Sequence, residues 1–301
     1  MTESNEKRIG HLCALFTVFV WGITFISSKV LLEYLTPVEI LFYRFIIGYI
    51  SLWIFYPHTI KFDSYKYDIF AAVSGLSGLC LYQFFENSAL IFTQASNVSI
   101  LVSTVPFFTA IASRIVFGKK LTKCYFIGFF IAIAGVVMIN YNANVILHLS
   151  PKGDILALSA AVIWGVYTVF TTLLNGSDKN IIGITRRIFF YGIVFVIILS
   201  FFTDFSFSSV VYLKEPAVLF NLLFLGAVAS AICFVTWNFS LKILGSVQAS
   251  TYIYLIPVVT VIFSLIILHE KVGILGIPGA LIVILGLIIS ELRIQSGKDK
   301  K

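Results

Sequence analysis

Apolar residues run through this chain in long unbroken stretches, separated by short groups of polar, charged and turn-forming residues. Ten such stretches stand out, at about 10–32, 37–56, 67–90, 95–117, 122–140, 153–174, 181–203, 217–240, 247–268 and 273–292. Each is close to the roughly 20 residues that carry an α-helix across a bilayer. None alternates with the period of two that a half-buried strand would show. Pro37, Pro151 and Pro216 stand just ahead of runs, where a missing N–H costs a helix nothing. Pro106 and Pro257 fall inside the fourth and ninth runs and predict helix kinks there.

Composition agrees with the pattern. Of 301 residues, 59% are apolar and 12% charged, against about 45–50% and about 25% in ordinary soluble domains. Mean hydropathy is +1.00. A soluble core of this size could not hide that excess, so the expected fold class is an all-α membrane protein. The first run follows Lys7-Arg8 but continues without a small-residue cleavage site, so it reads as a retained helix. The net charge of +7 does not call for nucleic acid, because the bases sit in loops. With the N-terminus placed in the cytoplasm, one side collects Lys7, Arg8, Lys61, Lys66, Lys119, Lys120, Lys123, Lys179, Lys242 and the C-terminal bases. The other holds Lys152, Lys214 and Lys271. That asymmetry predicts cytoplasmic termini in a bacterial inner membrane. The Phe- and Ser-rich segment Asp204 to Tyr212 is expected along the outer interface.

The chain also repeats itself. Gly10, Ala14, Leu15, Trp21, Gly22 and Arg44 recur 143 positions later as Gly153, Ala157, Leu158, Trp164, Gly165 and Arg187. At an offset of 151, Gly75, Asn87, Ser99, Pro106, Gly128 and Gly135 match Gly226, Asn238, Ser250, Pro257, Gly279 and Gly286. The boundaries read as one five-helix unit over 1–142, a second over 153–294, and a basic cytoplasmic tail over 295–301. Five is odd, so the second unit enters the membrane from the opposite side. Two inverted repeats around a central cavity are a recurrent design of secondary transporters.

Several stretches then bear a family likeness. Trp21-Gly22 with Arg44, NSALIFTQASNVSILVSTVPFF at 87–108, GKKLT at 118–122, WGVYTV at 164–169 and the long run at 237–272 resemble the EamA-type branch of the drug/metabolite transporter superfamily. The resemblance covers about residues 9 to 292. It implies ten helices, inverted repeats and a proton- or gradient-linked carrier, often an exporter of amino acids or other metabolites. It also points to helices one, three, four, six, eight and nine as cavity walls. Relatives often carry a Glu shortly after helices four and nine; Glu270 fits the second place, while Lys119 occupies the first.

Candidate residues follow from the cost of burying polar groups in lipid. Glu86 is the one carboxylate well inside a run; Arg44 and Lys29 are its candidate cationic partners. Trp21, Trp164 and Trp237 stand inside runs, where their indole N–H groups need partners. Asn87, Asn238, Ser99, Ser103, Tyr82, Tyr167, Tyr252 and Tyr254 complete the set expected to bind a small solute or couple its movement to an ion, a proton being the candidate. Arg186 and Arg187 are expected to snorkel to the interface. Cys13, Cys80, Cys124 and Cys233, and the unpaired His11, His58, His148 and His269, form no metal-binding or nucleophile–base pattern. No cofactor is implied, and no P-loop occurs. A lipid-modifying intramembrane enzyme and a non-transporting receptor or assembly protein remain as alternative readings.

Overall fold

The computed structural model describes residues 3–61, 64–118, 122–140, 150–177, 179–267 and 275–291. Ten helical rods follow one another: α1 Glu3–Leu31, α2 Pro37–Phe55, α3 Tyr65–Phe92, α4 Ala95–Phe117, α5 Lys123–Asn140, α6 Pro151–Leu174, α7 Ile181–Ser200, α8 Pro216–Leu244, α9 Ser246–Ile267 and α10 Gly276–Glu291. All except α5 and α10 lie in helices long and apolar enough to span a bilayer, and those two are shorter apolar helices. Pro37, Pro151 and Pro216 each open a helix. Thr36 adds a reciprocal cap: its hydroxyl accepts from Glu39 N–H, and Glu39 accepts from Thr36 N–H at 2.8 Å. The second Glu39 oxygen takes the Ser206 N–H at 3.1 Å, which ties α2 to the 3₁₀ segment Phe207–Lys214. Phe207, Val210, Val211 and Tyr212 of that segment are exposed, as an interfacial strip would be.

Helices α1–α5 and α6–α10 are two copies of one unit, and their irregularities coincide. A π-helical turn occupies Gly75–Leu81 in α3 and Phe224–Ile232 in α8. The α4 helix breaks between Val102 and Val105, and α9 tightens to 3₁₀ over Tyr252–Leu255. Both distortions lie just ahead of the paired prolines. Pro106 and Pro257 therefore open new helical segments, and the kinks fall a few residues earlier than the prolines themselves.

Where the two copies meet, small residues set the distance. Helices α5 and α10 cross so closely that a Cβ on Gly128 would lie 2.6 Å from the Gly286 carbonyl oxygen, and one on Gly135 2.7 Å from that of Gly279. Since Gly128 repeats as Gly279 and Gly135 as Gly286, the two contacts exchange under a twofold axis. Helices related by such an axis in the membrane plane must run antiparallel, as these do. The Trp-Gly pairs obey the same operator. A Cβ on Gly22 would lie 2.5 Å from Val259 of α9, and one on Gly165 3.1 Å from the Phe108 backbone of α4. Gly128→Leu or Gly286→Leu should therefore force α5 and α10 apart. Overpacking of this kind costs about 1–3 kcal/mol, and the expected fall in melting temperature is measurable in detergent, whereas Ile127→Leu on the exposed face of α5 should leave it unchanged.

Candidate functional site

The Trp half of each Trp-Gly pair points to the middle of the molecule. Trp21 and Trp164 meet edge to face with ring centroids 5.2 Å apart. Trp237 of α8 joins at 5.1 Å from Trp21 and 6.4 Å from Trp164. Tyr82 and Tyr167 flank Trp164 at 4.5 and 4.6 Å. The rings fill the space between the repeats, and all five are buried. Their polar handles fare differently. The Trp21 indole donates to the Ala229 carbonyl at 3.1 Å, a group in the π-helical turn of α8. The indole nitrogens of Trp164 and Trp237 have no hydrogen-bond partner within the protein.

A charged layer lies beside this cluster. Arg44, almost wholly buried, donates from Nε to Ser230 at 3.1 Å and from Nη1 to Gln83 at 2.9 Å. Glu86 is buried one helical turn beyond Tyr82, interacts with the Tyr82 hydroxyl and feels the Arg44 charge. Arg44 is thus held by two neutral groups, with Glu86 as an electrostatic neighbour. Lys29 has a different task from the one expected: its ammonium group donates to the carbonyls of Leu90 and Thr93, fastening α1 to the end of α3.

The remaining candidates divide. Ser99 and Ser103 donate to their own helix, to the Ser96 and Ile100 carbonyls, so their hydroxyls are spent locally. Tyr252 hydrogen-bonds His11 at 2.6 Å near the start of α1. Tyr254 packs with Phe129 in the layer of α5 and α10, away from the tryptophans. Arg186 does not snorkel. Its guanidinium stacks on Trp53 at 3.7 Å and donates to the Tyr56 and His58 carbonyls. Arg187 pairs with Asp68 at 2.7 Å, joining α7 to α3. Glu270, Lys119 and the loop around residues 141–149 lie outside the described residues.

Comparison with known proteins decides the family. The model of the EamA-like transporter family matches twice, over residues 8–141 and 151–292. The chain is a member of the EamA-like transporter family. An uncharacterized transporter of Archaeoglobus fulgidus is 29% identical over 95% of this chain and 98% of its own length. The uncharacterized transporter YvbV of Bacillus subtilis is 28% identical over 99% and 96%. A protein of Streptantibioticus cattleyicolor named as a probable terminal-alkyne amino-acid exporter is 25% identical over 70% and 71%. A crystal structure superposes with a TM-score of 0.73 at 17% identity, covering 94% of this chain and 98% of the other, which bears on fold alone.

Within this EamA-like chain the two repeats differ most at their paired asparagines. Asn238 is saturated. Its Oδ1 accepts from Tyr167 at 2.9 Å, its Nδ2 donates to Thr185 at 2.8 Å, and its carbonyl accepts from Asn175 at 3.0 Å. Asn87 is just as buried, yet neither its Nδ2 nor its Oδ1 has a partner within the protein. The repeat explains why. The positions matching Tyr167, Thr185 and Asn175 in the first copy are Thr24, Phe42 and Leu32. Thr24 spends its hydroxyl on the Trp21 carbonyl at 2.7 Å, and the other two carry no polar group. Sequence reading found both asparagines but missed Asn175, Thr185, Gln83, Ser230 and Asp68; subtracting the offset from Tyr167 and Thr185 would have exposed the imbalance. Asn238→Leu should lower stability by about 1–3 kcal/mol, because it strands the Tyr167 hydroxyl. Asn87→Leu strands nothing and should leave the melting temperature unchanged or higher; thermal scans of both variants in detergent test the contrast.

Proposed function

We propose that the protein is a secondary transporter that exports amino acids or related small metabolites by alternating access of its two inverted repeats. One observation carries this reading. In a packed membrane protein nearly every buried polar atom finds a partner, yet Trp164, Trp237 and Asn87 at the centre leave donors and an acceptor unused. Two indole N–H groups and an amide set among aromatic rings suit a solute with an apolar body and a few oxygen or nitrogen groups. A carboxylate of such a solute would accept from the indoles, and its polar edge would satisfy Asn87. The name of the Streptantibioticus relative adds support for amino acids.

Near-equivalent halves give the alternation its physical basis, since two packings related by the twofold have similar energies. The distribution of loop bases supports cytoplasmic termini. Glu86 is the coupling candidate, with Tyr82 and Arg44 as the titratable and charged groups facing it.

Efflux of a panel of labelled amino acids, normalised to folded protein, tests the proposal. Trp164→Phe, Trp237→Phe and Asn87→Leu each delete a hydrogen-bonding group while preserving bulk, and about a tenfold loss per variant is expected. Undiminished efflux in all three would move the solute site elsewhere. Glu86→Gln keeps shape, and Arg44 retains Ser230 and Gln83, so the variant should fold. It is expected to transport at a rate that no longer changes with pH between 5 and 8, against a wild-type rate that does; an unaltered pH profile would remove Glu86 from coupling.

A further inference from the structure

Away from the tryptophan cluster, a cavity of about 480 Å³ opens between α1, the start of α7 and the last turns of α8. Its walls change character with depth. Lys242, exposed in the last turn of α8, and Lys179, two residues ahead of α7, line it together with Ile9, Cys13, Val235 and Phe239. Along α8, Lys242, Phe239 and Val235 descend one face over seven residues, about 10 Å at 1.5 Å per residue. Beneath them the polar atoms are already matched: Thr236 and Thr17 hydrogen-bond each other at 2.7 Å. Lys7 and Arg8, both exposed, precede Ile9 on α1 and extend the positive rim. The cavity is therefore cationic at its mouth and apolar below, and it lies at one end of the bundle.

We propose that this groove binds an anionic phospholipid, its phosphate between Lys179 and Lys242 and the upper part of one acyl chain along Ile9, Cys13, Val235 and Phe239. Charge complementarity selects the lipid class. A soluble metabolite would leave the apolar depth unused, and a zwitterionic headgroup brings its own cation against two lysines. Basic pockets between helices at the cytoplasmic face recognise anionic headgroups on this principle. The site would hold α1, α7 and α8 together from the lipid side, at the level where helices of opposite repeats meet. It does not depend on the solute site.

The test uses the full chain reconstituted in vesicles of equal phosphatidylglycerol and phosphatidylcholine, then released into mild detergent for native mass spectrometry. Wild-type protein is expected to retain phosphatidylglycerol in preference to phosphatidylcholine. Lys179→Gln/Lys242→Gln should weaken that preference about tenfold or more, whereas Lys61→Gln/Lys66→Gln, with the same change of charge away from the groove, should keep it. Cys13→Trp, which fills the groove without altering its charge, should also expel the lipid. If the double variant does not fold, Lys242→Gln alone, at an exposed position, carries the comparison. Equal retention of the two lipids, or equal loss in both lysine pairs, overturns the proposal. So does displacement by millimolar glycerol phosphate, which would assign the cavity to a soluble phosphate ester.

Discussion

Helices surrounded by lipid gain little from burying apolar side chains against one another, so close approach of backbones has to hold them. Everything central in this protein depends on that approach at two positions, Gly22 and Gly165. With no Cβ there, α1 presses onto α9 and α6 onto α4, each just past the break in the broken helix. Thr260 completes the first contact by donating to the Gly22 carbonyl at 2.9 Å. Only with α1 and α6 seated this deeply do the neighbouring tryptophans reach the axis and meet. The Trp-Gly dipeptide thus joins two demands on adjacent residues: bulk toward the centre and none toward the flank.

On this near-symmetric scaffold the hydrogen bonding is not symmetric. Thr260 has a carbonyl acceptor, while its repeat mate Thr109 has no partner within the protein. Trp21 reaches Ala229, but the matching place for Trp164 is Gly78, against which the Tyr167 ring packs. Tyr167 in turn serves Asn238 and leaves Asn87 without a counterpart. One aromatic hydroxyl, present in the second copy and replaced by Thr24 in the first, thus accounts for two of the differences. Duplication supplied the frame, and single substitutions then gave its halves different chemistry.

Much of the architecture was legible in the chain because lipid leaves few options. Long apolar runs, proline-opened helices and the paired Trp, Asn, Pro and Gly positions all reported the ten rods and their repetition. Side-chain partnerships were far less legible. Lys29 and Glu86 share a level in the sequence map, yet Lys29 turns to the backbone carbonyls at the end of α3. Arg186 stands near a helix end, where snorkelling is the ordinary outcome, but Trp53 and two free carbonyls at the end of α2 hold it. Tyr252 and Tyr254 are two residues apart, so a helix points them in different directions, one to His11 and one to Phe129. Spacing tells which face a residue occupies. It does not tell which neighbouring helix that face meets.

The π-helical turns have a consequence of another kind. A π turn holds one residue more than the α-helical turn it replaces, and a residue added to a helix rotates all that follows by about 100°. Gly75–Leu81 and Phe224–Ile232 carry this distortion at matching places, and α2 and α7 pack on them through Gly226 and Gly75. Two independent insertions at one register are a poor explanation beside a single older one. The extra residue belonged to the ancestral five-helix unit before it was copied, so the bend in α3 and α8 is older than the partnership between the halves.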